Sequence, residues 1–135
     1  MRAQQRSDSD RFAFQVSGGT EAGHAARRAV IAGDGALPTA VRDEVLLLLT
    51  ELVTDSVRHA GVGPEQSIQV EVRWSRKLVR VEVTDPGTRF TRVRLRPRNE
   101  SGGWGLFLVD GVADRWGVMP AASGTCVWFE IGFDR

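Results

Sequence analysis

The sequence predicts an α+β protein: a two-layer α/β sandwich in which helices cover one face of a single sheet. Two observations carry this. Several stretches alternate apolar and polar residues with the period of a half-buried strand, while others carry the 3.6-residue period of amphipathic helices. The elements also fall in groups, in the order β, α, α, β, β, long loop, α, β, β. Such grouping favours one helix-covered sheet over a doubly wound fold.

The polar residues 1–9 read as a flexible tail, which leaves residues 10–135 as one domain. "RFAFQVSG" places Phe12, Phe14 and Val16 on one buried strand face. "TEAGHAARRAVIAG", residues 20–33, reads as a helix with Thr20 or Gly19 as its cap and Gly33 near its end. After the loop "GDGALP", Thr39 to Ala60 form the strongest helix of the chain, ended by "GVGP". Ile68, Val70, Val72 and Trp74 then share one strand face, and Val79, Val81 and Val83 another. The short link "SRK" between these runs predicts a hairpin. "DPGTRF" breaks the pattern. Residues 88–103 form a polar, arginine-rich loop, and its length points to function. "WGLFLVDGVADR", residues 104–115, is an amphipathic helix, "WGVMP" a short strand, "AASG" a turn and "TCVWFEIGF" the last strand.

Composition excludes several classes of function. A net charge of +1 gives no reason to expect direct nucleic-acid or membrane binding. Cys126 is the single cysteine, so neither an intrachain disulfide nor a cysteine-based zinc site can form. The N-terminus lacks the apolar core of a signal peptide, and "EVLLLLTELV" is too short and too charged to span a bilayer. A soluble cytoplasmic protein is the expectation.

Three constellations carry chemistry. In "ELVTDSVRHA", Glu51 and Asp55 lie four residues apart on one helical face, where like charges repel by about 0.2–0.5 kcal/mol. Stepping about 100° per residue from Glu51 puts Val41, Val45, Leu48, Leu49, Leu52 and Ser56 in one apolar stripe. Glu44, Asp55 and Arg58 fall beside Glu51, along the border of that stripe. The pair is either an exposed edge partly neutralised by Arg58 or the rim of a cleft that holds a cation. In "VRVEVTDPG", the two-residue strand period puts Asp85 on the same face as Val79, Val81 and Val83. There it is either an ordinary turn aspartate or a core-rim carboxylate that needs a donor such as an amino group. In "SGGWGLFLVDGV", glycines 102, 103 and 105 precede a helix. They form either a flexible cap or a backbone cradle for an anion such as phosphate.

Taken in this order, "ELVTDSVRHA", "DPG", "GGWGLFLVDGVADRWGV" and "GTCVWFEI" resemble the Bergerat-fold (GHKL) ATP-binding domains. Within them, the chain is similar to small actinobacterial relatives of the anti-sigma-factor serine kinases, over roughly residues 12–133. The resemblance implies a mixed sheet covered on one face by helices, with ATP between the layers under a lid. It implies that Glu51 is the general base and that Asp55, standing where the family usually has Asn, is the Mg²⁺ ligand. Asp85 matches the aspartate that accepts from the adenine amino group, and Gly87 the glycine that lets backbone approach the ring. Gly103, Gly105 and Leu106 match the phosphate-side segment of the ATP site, and Thr125 a threonine near adenine. Residues 88–103 match the lid, with Arg89 in place of the family's second glycine.

The implied function is an ATP- and Mg²⁺-dependent regulator, a serine kinase-like anti-sigma factor. It would switch between a sigma factor and an antagonist (anti-anti-sigma) protein, in a possible homodimer. The alternative is a partner-binding module with a degenerate nucleotide site; a detached histidine-kinase catalytic domain is a weaker expectation, since these residues include no phosphoacceptor helix. Arg92, Arg94, Arg96 and Arg98 alternate in the loop, either solvated or reaching phosphate or an acidic partner. His59 reads as a helix-end residue, and Trp104, Trp116 and Trp128 as core or partner-surface residues.

Overall fold

A computed structural model describes residues 10–33, 37–87 and 104–132. They form β1 (Asp10–Ser17), α1 (Ala22–Gly33), α2 (Thr39–Ala60), β2 (Ser67–Trp74), β3 (Leu78–Asp85), α3 (Trp104–Val112), β4 (Arg115–Ala121) and β5 (Gly124–Gly132). The expected tail at 1–9 and lid at 88–103 lie outside the described residues. The five strands make one sheet in the order β1-β2-β3-β5-β4. The α+β sandwich is as the sequence predicts, with one correction. The sheet was expected to be mixed, yet each of its neighbouring pairs is antiparallel.

Connectivity explains the correction. Two helical passes, α1 and α2, lie between β1 and β2, so the chain re-enters the sheet running the opposite way. The single helix α3 separates β3 from β4, and these two strands do run parallel. They are not neighbours, because β5 folds back from β4 and takes the place between them.

The strand register divides the sheet into two unlike faces. Val72 pairs with Val81, Val81 with Phe129, and Phe129 with Trp116, so apolar residues line up across β2, β3, β5 and β4. Against this face lies the apolar stripe of α2. Val41, Val45, Leu48 and Leu49 have no exposed surface, nor do Val79, Val81 and Phe129. Fully burying each such side chain contributes about 1.5–3 kcal/mol. α1 and α3 flank α2, adding Ala26, Val30 and Val109 to the core. Phe12 and Phe14, expected to be buried, are only half-buried because β1 is the edge of the sheet. Their rings instead stack at 6.1 Å, and Phe12 meets Trp74 edge-on at 5.8 Å.

The opposite face is a charged layer. Arg80 donates to Glu82 at 2.9 Å and to Glu130 at 2.8 Å, and Arg115 binds Glu130 at 2.6 Å. Trp128 lies under the Arg80 guanidinium, 4.2 Å from its ring centroid. The indole needs the bare backbone of Gly117, where a Cβ would come within 2.8 Å of its Nε1.

Two element ends carry the outline of the site. Helix α2 stops at Gly61, which adopts the left-handed conformation with φ 66° that ends helices cheaply at glycine. Helix α3 ends at Val112, short of the expected residue 115. Asp114 is drawn into the sheet, its N–H donating to the Glu130 carbonyl and its carboxylate accepting from Gly132 N–H.

Candidate functional site

Helix α2 packs across β3 and against α3. This brings the last turns of α2 to the end of β3, where two of the three sequence constellations meet. Asp85 is the last residue of β3 and only 9% exposed, on the core face that the strand period predicts. Two donors satisfy its carboxylate. The Ser56 hydroxyl on α2 donates to Oδ2 at 2.8 Å, and Gly87 N–H donates to Oδ1 at 2.8 Å. Burial pushes the Asp85 carboxyl above its ordinary range, and these two hydrogen bonds pull back only part of the way.

Thr125 pairs with Asp85 across the β3–β5 ladder, and its hydroxyl donates to the Gly87 carbonyl at 2.8 Å. Asp85, Gly87 and Thr125 therefore form one hydrogen-bonded unit. The approach is made possible by Gly124, with φ +152°. A Cβ on Gly124 would collide with the Asp85 carbonyl oxygen and come within 2.7 Å of Pro86 Cα.

Glu51 and Asp55 lie on α2, both half-buried at the border of the apolar stripe. Burial raises the Glu51 carboxyl above its ordinary range, and the Asp55 charge raises it further. Arg58 offsets part of this. The Asp55 carboxylate also sits 3.4 Å from His59 Nε2, one turn on. Gly105 and Leu106 fall in the first turn of α3, while Gly103, Arg89 and the loop arginines lie outside the described residues.

The donor set fits an adenine nucleotide on one count and a cation on another. Each Asp85 oxygen accepts one hydrogen bond and keeps capacity for a second, which suits an amino group arriving at a nearly buried edge. Two mutually repelling carboxylates on α2 suit a divalent cation. Among the described residues no group of three or more His, Cys, Asp or Glu could hold a metal ion. A magnesium ion here would rely on Asp55 together with phosphate oxygens and water, which is its usual preference over an all-protein cage.

The residue that sequence reasoning missed is Ser56. Its signal was present, as a hydroxyl inside an otherwise apolar helical stripe. Its target could not be read without knowing where α2 crosses β3. No helix among the described residues is long and apolar enough to cross a membrane. Residues 20–131 match the sequence profile of the histidine kinase-like ATPase domain. No curated protein matches the chain.

Proposed function

Because the chain belongs to the histidine kinase-like ATPase domain family of the GHKL superfamily, we propose that it is a soluble, cytoplasmic ATP-binding regulator of the serine-kinase type. In this reading it acts on protein partners, a sigma factor and its antagonist, by partner switching. The observation that carries the nucleotide part is the Ser56–Asp85–Gly87–Thr125 unit, a nearly buried acceptor built from three elements where α2 meets the end of β3. The partner assignment rests on the likeness of "ELVTDSVRHA" and "GGWGLFLVDGVADRWGV" to the anti-sigma-factor kinases.

The chain's own residues divide the work. Asp85 accepts from the exocyclic amino group and orients the nucleobase. Asp55 would hold the cation, and the first turn of α3 would offer backbone N–H groups to the phosphates. Glu51, with its raised proton affinity, takes the proton of the attacking serine hydroxyl. Bound Mg²⁺–ATP supplies the transferable phosphoryl group and neutralises the charge that develops on it.

Calorimetry with millimolar Mg²⁺–ATP tests the nucleotide reading: saturable heat and a raised melting temperature are expected, and the absence of both refutes it. Capture of partners from the native host, with and without ATP, tests the switching. The Asp55–His59 contact favours a second reading, in which the carboxylate is already engaged and the domain sequesters its partner without phosphorylating it. Nucleotide binding without phosphoryl transfer to a captured antagonist would select that reading.

A further inference from the structure

Asp85 is held from two directions of different kind. Gly87 N–H belongs to the turn directly after β3, so that bond is local and follows the strand. The Ser56 bond is not local. It spans 29 residues and is the hydrogen bond from the helical layer to this carboxylate among the described residues. A carboxylate can only accept, and a hydroxyl can donate or accept. With Ser56 donating to Oδ2 and Gly87 to Oδ1, both oxygens are committed as acceptors, and a ligand edge that meets them must be a donor.

Resting on the ATP-binding reading above, we propose that Ser56 is a positioning residue for nucleobase recognition, whose hydroxyl fixes the Asp85 carboxylate as the acceptor of an exocyclic amino group. Ser56 follows Asp55 directly, so one turn of α2 carries both the cation-side carboxylate and the hydroxyl that sets the base-side carboxylate. The two ends of a bound nucleotide are thereby referred to the same helix. Without the hydroxyl, Asp85 keeps the Gly87 bond to Oδ1 but loses the bond from α2 that fixes the position of Oδ2. It also gains a reason to bind a proton, because burial already raises its proton affinity and the Ser56 bond opposes that rise. A protonated or turned Asp85 no longer distinguishes a ligand that carries the amino group from one that lacks it.

The test is a cycle between one protein group and one ligand group. Affinities of wild type and Ser56→Ala are measured by calorimetry for ATP and for purine riboside triphosphate, which lacks the 6-amino group. Wild type is expected to prefer ATP by roughly 10- to 100-fold, the range of one hydrogen bond to a charged acceptor. In Ser56→Ala that preference narrows by about threefold or more, through loss of ATP affinity with the analogue little changed. Ser56→Thr, which keeps the hydroxyl, retains the wild-type preference. A purely structural role for Ser56 would weaken both ligands alike. Equal preference in wild type and Ser56→Ala overturns the inference while leaving the ATP-binding reading intact, and so does a Thr variant that behaves like Ala. A wild-type protein that binds neither ligand overturns both.

Discussion

Replacing Gly124 by alanine tests the site and the fold at once. Gly124 opens β5 with φ +152°, a conformation that residues with a side chain rarely adopt. Holding alanine there costs about 1–3 kcal/mol. The added methyl would also collide with the Asp85 carbonyl oxygen and lie 2.7 Å from Pro86 Cα, both of them backbone atoms without a rotamer to escape into. The start of β5 must move away from the end of β3. The expected loss is about 2–4 kcal/mol, a large share of the roughly 5–15 kcal/mol that holds a domain together. Urea unfolding followed by tryptophan fluorescence should show a lower midpoint at unchanged slope. The same displacement separates Thr125 from Gly87 and disturbs Asp85, so affinity for adenine nucleotides should fall about tenfold or more, the scale of one charge-assisted hydrogen bond. A loss below about 0.5 kcal/mol, within the range of an ordinary surface substitution, together with unaltered nucleotide binding, would refute the reasoning.

Further outcomes follow from the charged groups. Asp55→Asn removes a negative charge from the phosphate side and should tighten Mg²⁺–ATP binding by about 3- to 10-fold, or roughly 0.7–1.4 kcal/mol; weaker binding in calorimetry would show the carboxylate to be an asset. Glu51→Gln should keep nucleotide affinity and abolish phosphoryl transfer, and a variant still transferring at the wild-type rate would remove Glu51 from the base role. Glu51 also holds its proton more tightly when folded, so its contribution favours the fold at low pH. That contribution is lost as pH rises from the ordinary carboxylate range through the folded value. Glu51→Gln should therefore melt slightly higher than wild type at pH 7, with the gap closing near pH 4. Glu130 has the opposite sign. Burial raises its carboxyl, but Arg115 and Arg80 outweigh burial and hold it below its ordinary range, so its stabilisation is present at neutral pH and lost as acid protonates it. Glu130→Gln should be less stable than wild type at pH 7, and in acid melts the difference should shrink.

How much was legible depended on whether a feature is local. The span Thr39–Ala60 follows from its own sequence, since Pro38 precedes the helix and Gly61 takes the left-handed cap after it. The two-residue period alone placed Asp85 on the same face as Val83, and the ladder then set Thr125 opposite it. The border position of Glu51 and Asp55 came from the helical period in the same way. Features that depend on distant partners were not legible. The pairing of β5 with β3 joins residues from 40 (Asp85 and Thr125) to 54 (Leu78 and Gly132) positions apart, and no local pattern favours it over a β3–β4 neighbour pair. α3 stops early because Glu130 and Gly132, far along the chain, capture Asp114. Ser56 looked like a polar interruption of a stripe until the crossing of α2 over β3 gave its hydroxyl a target.

The place of β5 between β3 and β4 also sets an order of assembly. During synthesis, β1, α1, α2, β2 and β3 emerge first and can form three strands with two helices on them. β3 then presents a bare edge rich in valine, Val79, Val81 and Val83, until β5 emerges to pair with it. Such an edge is a template for wrong partners, and long-range strand pairing forms slowly. The hydrogen-bonded unit around Asp85 completes at that same late step, because Thr125 and Gly124 arrive with β5. On the ATP-binding reading, adenine-nucleotide binding would first appear when β5 docks, which ties it to the closing of the sheet.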